Sequence, residues 1–476
     1  TSKNQHFWVL NPGVEYFVGQ WDFHLNANIP LTGKTQSGDT FFADQARLAE
    51  GIQLNGHDIF ADQFISIDQV GDGLDLTAAR TFKSLNGTRV AVGGYFTNYP
   101  KQDNMLGGQI DVQIPAGKNI SVHFAGSYDN IFKNSYSISV EVFLGGYTST
   151  PKYNNLFSPT VRHLGTINTG SGIRDQEVFE RTGLQRLLLS NLWFFSANNG
   201  VAYSAPQGFD NCTGESPCDA ASFTQTTINS IDGISPQALL LFESGSYLVN
   251  PGGANQITFN DGQSVLGRES GFKFAATATQ RPVFQGGITL VSNNQVSDVN
   301  LTGVGTTETT GLTFNTATNT NVTNMSVSNY VAATGLDATG VNIQNSTTIN
   351  LTNVAVSGIA GGAGIDGADG ANGADTIGPN LPGGVGANGT NGTVGGNATG
   401  VTMNNSTGVV FDNVAISSIT GGAGGIGGSG GNGGNASSTL DNGAAVGGAG
   451  GNGANGANGG TATGFVYTAS TANLND

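Results

Sequence analysis

The two cysteines of this chain have a spacing that limits the chemistry they can do. Cys212 and Cys218 are the only cysteines, and no second pair or nearby histidine completes a zinc site. Their spacing also differs from the Cys-x-x-Cys motif of redox enzymes. We expect a structural disulfide that closes a small loop, which is usual in exported proteins and indicates an oxidising compartment.

Acidic residues in the C-terminal half are the other candidates for chemistry. Asp366, Asp369 and Asp375 recur at multiples of three and could collect calcium on one face of a repeating structure. They lack the nonapeptide pattern of calcium-binding β-rolls. The pattern therefore favours solvated acids over a metal site.

Catalysis on a polysaccharide would need a more specific arrangement of residues. A glycosidase needs two carboxylates that face each other across about 5–10 Å, whereas Asp298, Glu308, Asp337 and Asp412 fall at different points of the repeat described below. A polysaccharide lyase needs a base, commonly lysine or arginine, and residues 282–476 contain no lysine, arginine or histidine. We therefore predict no catalytic, cofactor-binding or metal-binding residue.

The composition excludes several classes of protein. The 476 residues include 17 basic and 33 acidic side chains, a formal net charge of −16. A nucleic-acid binder needs a basic patch, and docking on anionic lipid needs a polybasic surface. No apolar run reaches the roughly 18 residues of a transmembrane helix, which leaves alternating membrane strands open. The chain also contains 75 glycines, concentrated beyond residue 360.

The first third of the chain alternates apolar with polar residues, which is typical of strands that have two different faces. The clearest segment is 21–29, and the pattern recurs over 109–114, 120–124 and 136–142. A span of about nine residues is also the length of a membrane-crossing strand. Alternation by itself fits a soluble antiparallel sheet with one wet face as well as it fits a membrane barrel.

Particular stretches favour the barrel. Residues 13–31, Val92-Gly-Gly-Tyr-Phe-Thr and Ser127-Tyr-Asp-Asn resemble the β-domain of inverse autotransporters of the intimin and invasin type. In that family a twelve-stranded outer-membrane barrel exports the passenger that follows it. The resemblance covers about residues 1–165, where about eight or nine strands can be placed. It implies an N-terminally truncated barrel domain in contact with outer-membrane lipid.

We interpret residues 166–222 as a linker that also contains the disulfide loop. Its segment 174–196 has acidic residues early, followed by leucines at helical spacing, which predicts a helix. These leucines are Leu184, Leu187, Leu188 and Leu192. The resemblance implies a linker through the barrel lumen, and the alternative is a helix that caps the next domain.

An internal repeat appears beyond residue 223. Four units begin with a Thr-Gly dipeptide, and in the first three a second strand begins at a constant offset. The dipeptides start at Thr310, Thr339, Thr399 and Thr463. A constant offset between strands, with variable lengths elsewhere, predicts the stacked coils of a solenoid.

An asparagine precedes the second strand in each of these coils. We expect Asn324, Asn353 and Asn413 to stack as an amide ladder that continues Asp298, rather than to form separate turns. Three stretches of the region resemble the pectin-lyase-like right-handed β-helix of large bacterial surface proteins. They are Trp193-Phe-Phe-Ser, Asp261-Gly-Gln-Ser-Val-Leu-Gly-Arg and Arg281-Pro-Val-Phe-Gln-Gly. This resemblance covers roughly residues 193–476 and implies no catalytic residue.

Two insertions, at residues 361–398 and 421–462, hold four runs with glycine at every third position. The glycines are Gly361, Gly364, Gly367, Gly370 and Gly373; Gly383, Gly386, Gly389, Gly392 and Gly395; Gly421, Gly424, Gly427, Gly430 and Gly433; and Gly447, Gly450, Gly453, Gly456 and Gly459. Collagen has the same period but needs abundant proline and three chains. We expect polyproline-II-like helices paired into two rod-like hairpins, in which glycine lets backbones bond laterally. The alternative is a flexible glycine-rich loop.

These patterns predict an all-β chain with three parts. They are a partial antiparallel outer-membrane β-barrel over 1–165, a linker over 166–222, and a C-terminally truncated right-handed parallel β-helix with glycine-rich hairpin insertions over 223–476. We expect a surface adhesin of the bacterial outer membrane that exports and displays its own passenger. Its partners would be glycans or proteins of a host, another bacterium or a matrix, and no nucleic acid or cofactor. The alternative function is a β-helical carbohydrate-active enzyme.

Overall fold

The computed structural model describes residues 7–44, 48–116, 120–131, 133–142, 178–203, 211–378, 381–437 and 445–475. As predicted, the chain is all-β, with 53% of residues in strands and 5% in helices. It divides into two compact units, Thr1–Ala43 with Asp62–Arg186 and Asp44–Ala61 with Leu187–Asp476. The second unit therefore includes 44–61, which the sequence grouped with the first 165 residues.

The strands up to residue 189 pair antiparallel wherever their register is resolved. They are β1 (Val9–Leu10), β2 (Gly13–Val18), β3 (Trp21–Pro30), β4 (Thr35–Phe42), β5 (Ile52–Asn55), β6 (Asp58–Gln69), β7 (Asp72–Phe82), β8 (Thr88–Asn98), β9 (Met105–Pro115), β10 (Ile120–Asp129), β11 (Lys133–Val142) and β12 (Val178–Leu189). The main sheet of the first unit has the order β1-β3-β7-β8-β9-β10-β11, with β2 paired to β3. Neighbours along most of this sheet are consecutive in sequence, so it is largely a meander.

The main antiparallel sheet covers its polar side chains and exposes its apolar ones. In β7, Asp75 and Thr77 are each 2% exposed, whereas Leu76 between them is 57% exposed. In β9, Asp111 is 7% exposed and its neighbour Ile110 is 49% exposed. A soluble sheet with one wet face has the opposite arrangement.

Hydrogen bonds join the covered polar side chains across strands. Asn26 Nδ2 donates to Asp75 Oδ1 at 2.9 Å. Arg89 binds both carboxylate oxygens of Asp22, at 3.1 and 2.8 Å. These charge-assisted contacts offset part of the cost of burying the groups, although Asn26 Oδ1 and Asp75 Oδ2 are buried without a hydrogen-bond partner among the described residues.

The helix predicted over residues 174–196 is wrong. Val178–Leu189 forms β12, and Leu192–Phe195 forms a further strand, β13; residues 174–177 lie outside the described residues. β12 pairs with β6, and Gly183 has a left-handed φ of +82° that a helix does not contain. Pairing with a neighbouring strand therefore overrides a helical spacing of leucines.

Parallel strands dominate the second unit. After β13 they are β14 (Leu239–Glu243), β15 (Ser246–Leu248), β16 (Gln256–Thr258), β17 (Ser264–Arg268), β18 (Val283–Gln285), β19 (Gly287–Leu290), β20 (Gln295–Ser297), β21 (Asn300–Thr302), β22 (Thr310–Asn315), β23 (Thr318–Ser328), β24 (Ala338–Gln344), β25 (Thr347–Ala360), β26 (Thr376–Ile377), β27 (Ala398–Asn404), β28 (Thr407–Thr420), β29 (Ala436–Ser437), β30 (Ala462–Thr468) and β31 (Ala472–Asn475). One helix, α1 (Gln225–Ile234), precedes β14 and is capped by the Thr224 side chain, which accepts from Thr227 N.

The pairing register of these strands is the one that the internal repeat predicts. Strands β22, β24, β27 and β30 pair in that order, with the four repeat threonines aligned, and β23, β25 and β28 pair in the same way. Two parallel sheets result, one with the order β16-β19-β22-β24-β27-β30 and one of eleven strands that contains β23, β25 and β28. The side chains buried between them are mostly apolar. Phe314, Val322 and Leu351 are fully buried. Among the described residues, no helix is both long and apolar enough to cross a membrane.

Candidate functional site

The two cysteines lie in a loop that pairs with strand β13. A disulfide joins Cys212 and Cys218, and both are buried. Phe194 N donates to Cys212 O, and Cys218 N donates to Phe194 O, each at 2.8 Å. This loop therefore pairs with the first strand of the parallel sheets, and Ile228 and Ile231 of α1 belong to the same buried core as Trp193 and Phe195.

The four residues of the expected ladder are hydrogen-bonded to one another. Asn324 Nδ2 donates to Asp298 Oδ1 at 3.0 Å, and Asn353 Nδ2 donates to Asn324 Oδ1 at 3.1 Å. Asn413 Nδ2 donates to Asn353 Oδ1 at 2.7 Å. Each of the four has a left-handed φ, between 52° and 57°, which asparagine and aspartate tolerate better than most residues. The ladder thus stacks side chains at a backbone bend that all four positions share.

The glycine-rich insertions form an ordered bundle of four runs. We name them run 1 (361–375), run 2 (383–397), run 3 (421–435) and run 4 (447–461). Backbone N–H groups of run 1 donate to carbonyl groups of run 3, and those of run 2 donate to both run 1 and run 4. Gly364 N to Ala423 O and Gly367 N to Ile426 O, both 2.7 Å, show the spacing of three residues. A helix with three residues per turn repeats its lateral contacts at this spacing.

Most of the repeated glycines leave no room for a side chain. A Cβ at Gly367 would lie 1.7 Å from Thr390 O, and one at Gly427 would lie 2.1 Å from Ala454 O. Run 4 differs, because a Cβ at Gly453 would meet nothing closer than 3.8 Å. Glycine is therefore sterically required at positions such as Gly367 in run 1 and Gly427 in run 3. It is not required at Gly453 in run 4.

A second set of glycines, which the sequence analysis missed, packs run 3 against run 1. A Cβ at Gly425 would lie 2.0 Å from Ile365 O, and the glycines at 422, 428, 431 and 434 are equally close to run 1. The signal was present in the sequence as glycine doublets, which are continuous only in run 3. Run 3 contacts runs 1, 2 and 4, and these additional glycines form its face toward run 1.

The acids of run 1 accept hydrogen bonds from backbone groups of run 3. Ile426 N donates to Asp366 Oδ1 and Ser429 N donates to Asp369 Oδ1, each at 2.7 Å. Asp375 Oδ1 accepts from Asn435 N at 2.6 Å. These three exposed carboxylates are thus not merely solvated, as the sequence suggested, because each also satisfies an amide of the neighbouring run.

The acids considered for polysaccharide chemistry have separate surroundings. Asp298 belongs to the ladder, and Asp337 Oδ1 accepts from Asn397 N at 2.6 Å. Glu308 is half-buried, and burial raises the pKa of its carboxyl group. Asp412 lies on β28, where it pairs in register with Thr352. In the described part of the chain, no group of three or more His, Cys, Asp or Glu residues could hold a metal ion.

No protein-family model, curated protein or solved structure matches this chain.

Proposed function

We propose that this chain is an adhesin of the bacterial outer membrane. In this proposal the antiparallel unit is part of a barrel of the inverse-autotransporter type, and the parallel unit is a right-handed β-helix of the exported passenger. The glycine runs form polyproline-II-like hairpins displayed at the cell surface. The observation that carries the proposal is the reversed burial of the main antiparallel sheet.

Lipid is the environment in which that burial is favourable. Membrane strands alternate apolar residues toward lipid with polar residues toward the interior. Leu76 in β7, Ile110 in β9 and Val140 in β11 are 57%, 49% and 64% exposed, so one apolar surface extends across the sheet. A continuous apolar surface of this kind marks contact with membrane or protein. The length of these strands, 10 or 11 residues in β7, β9 and β11, suits a tilted membrane crossing.

The glycine-run bundle is the part of the passenger that suits adhesion. Its backbone is hydrogen-bonded internally and so is ordered before any partner arrives, which lowers the entropy lost on binding. It lies between ordinary strands of the coils, since run 1 follows β25 and run 2 precedes β27. The coil stack therefore supports the bundle, and the ligand would be a glycan or protein of a host, bacterial or matrix surface.

Insertion of the full chain into lipid vesicles tests the membrane part of the proposal. Ile110→Arg places a charge on the apolar surface, and we expect it to disfavour insertion by about 2–4 kcal/mol near the midplane. Gln109→Arg, on the other face of β9, is the matched control and should insert like the wild type. Equal insertion of both variants would contradict the proposal.

The adhesion part is tested with a passenger that lacks the bundle. The connection between β23 and β24, residues 329–337, links equivalent strands without a glycine run. Replacing residues 358–397 and 418–461 each with a copy of 329–337 keeps the coils and removes all four runs. Cells displaying this variant should export it and lose adhesion to surfaces that bind the wild type. Undiminished adhesion would exclude the bundle as the binding element.

A further inference from the structure

The bundle has two kinds of outward-facing polar row. Runs 1 and 3 are parallel neighbours, as are runs 2 and 4. Between runs 1 and 3 the row holds three carboxylates, Asp366, Asp369 and Asp375, together with the asparagines Asn372, Asn432 and Asn435. Between runs 2 and 4 it holds asparagines and no carboxylate, and five of these asparagines form what we call the amide row. Its members are Asn388, Asn391, Asn452, Asn455 and Asn458, and all are exposed.

Backbone contacts set the orientation of the amide row. Asn388 Oδ1 accepts from Asn452 N at 2.7 Å, and Asn391 Oδ1 accepts from Asn455 N at 3.0 Å. An amide whose oxygen is held in this way keeps its NH₂ group, with two donors, for another partner. Asn388 and Asn391 therefore present oriented donors at the surface.

The fold does not require those NH₂ groups. Asp366 and Asp369 make the same oxygen contact to run 3, at 2.7 Å, without having a side-chain donor. A carboxylate and an amide are thus interchangeable for the structural contact. Both rows offer neutral amide donors to a ligand, but only the row between runs 1 and 3 also carries negative charge.

We propose that the amide row binds neutral, hydroxyl-rich saccharides. Hydroxyl and ring oxygens of a sugar accept hydrogen bonds from NH₂ groups. Anionic saccharides are disfavoured because residues 282–476 contain acids and no lysine, arginine or histidine. A protein interface depends on aromatic or arginine anchors at its centre, and the amide row contains neither. This inference rests on the proposed adhesin function and names the class of its ligand.

The repeat of the row favours a polymer over a single sugar. Successive asparagines of one run lie three residues apart, about 9 Å at the rise of a polyproline-II helix. Each site offers a few exposed hydrogen bonds and would be weak alone. Several sites on one rigid surface bind a repeating chain more tightly than any of them does separately.

The test is Asn388→Asp with Asn391→Asp in the full chain, measured on immobilised neutral and acidic oligosaccharides. The double variant keeps both oxygen acceptors, removes two NH₂ groups and adds negative charge. We expect apparent affinity for neutral oligosaccharides to fall about tenfold or more. Slow hydrogen exchange at the amides of Asn452 and Asn455 would show that the bundle remains intact.

The matched control is Asp366→Asn with Asp369→Asn on the other row, which leaves the amide row intact, replaces negative charge with NH₂ donors, and so should not weaken binding of neutral saccharides. Wild-type protein that binds no neutral oligosaccharide, or an Asn→Asp double variant that binds as tightly as the wild type, would overturn the inference. Cells that still adhere through the bundle to protein-coated surfaces would then leave the adhesin proposal standing. If the cells do not adhere to protein-coated surfaces either, the saccharide inference and the adhesin proposal are both contradicted.

Discussion

Strands and glycine runs of the second unit are stabilised in opposite ways. Between the parallel sheets, side chains such as Phe314 and Leu351 are fully buried and supply the contact. Between the runs, the contact is made by the backbone, and a Cβ at Gly367 would overlap Thr390 O at 1.7 Å. Apolar side chains are thus necessary at the contact between sheets and are excluded from the contact between runs, where Ile365 and Ile426 point outward and are exposed. The comparison shows that a low apolar content does not by itself mean disorder.

The strongest test of this contrast removes a side chain from the strand region. Phe314→Ala leaves a cavity between the sheets, and we expect the free energy of unfolding to fall by about 3–5 kcal/mol. Thr313→Ala, one position along on the outer face, should change it by less than about 1 kcal/mol. Calorimetric unfolding of both variants measures the difference. A similar loss in the two would mean that the buried ring is not essential.

Adding a side chain tests the runs. Gly427→Ala places a methyl group 2.1 Å from Ala454 O, so run 4 must move, at about 1–3 kcal/mol. Gly453→Ala adds the same group where the nearest atom is 3.8 Å away. We expect hydrogen exchange in run 4 to accelerate in the first variant and not in the second. Equal exchange rates in the two variants would argue against backbone packing.

The asparagine ladder depends on side chains and on backbone conformation together, because its side-chain hydrogen bonds support a backbone bend. Asn353→Ala removes bonds to Asn324 and Asn413 and places alanine at a φ of 55°. We expect a loss of about 1–2 kcal/mol in stability by chemical denaturation. Asn353→Gly restores the backbone freedom and should recover about half of that loss. If glycine recovers nothing, the amide bonds account for the whole effect.

The smallest effect concerns the half-buried Glu308. Burial raises the pKa of its carboxyl group, so the folded state retains this proton more strongly than the unfolded state. The protonated Glu308 carboxyl group therefore makes its full contribution to stability at pH values below its pKa in the unfolded state. That contribution is lost as the pH rises through its pKa in the folded state. Glu308→Gln should remove a melting-temperature difference of about 1 °C between acidic and neutral pH. An unchanged pH dependence would assign the difference to another group.

Features with a strict period in the sequence could be predicted residue by residue. The spacing of the Thr-Gly dipeptides gives the strand register, and the three-residue glycine period gives the contacts of Gly364 and Gly367 with neighbouring runs. Both rest on local rules, because a repeated sequence must repeat its contacts. The ladder from Asp298 to Asn413 follows from the same reasoning.

Features that depend on a distant partner could not be predicted in this way. The leucines near Leu187 have a helical spacing, but β6 is available as a strand partner and a local pattern does not reveal it. The hydrogen bonds of Asp366 and Asp369 depend on amides 60 positions away. The amide row was missed for the same reason, since Asn388 and Asn452 meet only when runs 2 and 4 lie side by side.

The attachment of the runs to paired strands determines the register between the runs. Ala360 and Thr420, which immediately precede runs 1 and 3, are partners in the pairing of β25 with β28. Pairing of β25 with β28 therefore places the first triplets of these runs side by side. Runs of similar triplets offer similar backbone bonds in registers that differ by three residues. The paired strands fix one of these registers at the base of the runs, and the bonds between runs 1 and 3 continue in that register toward the tips.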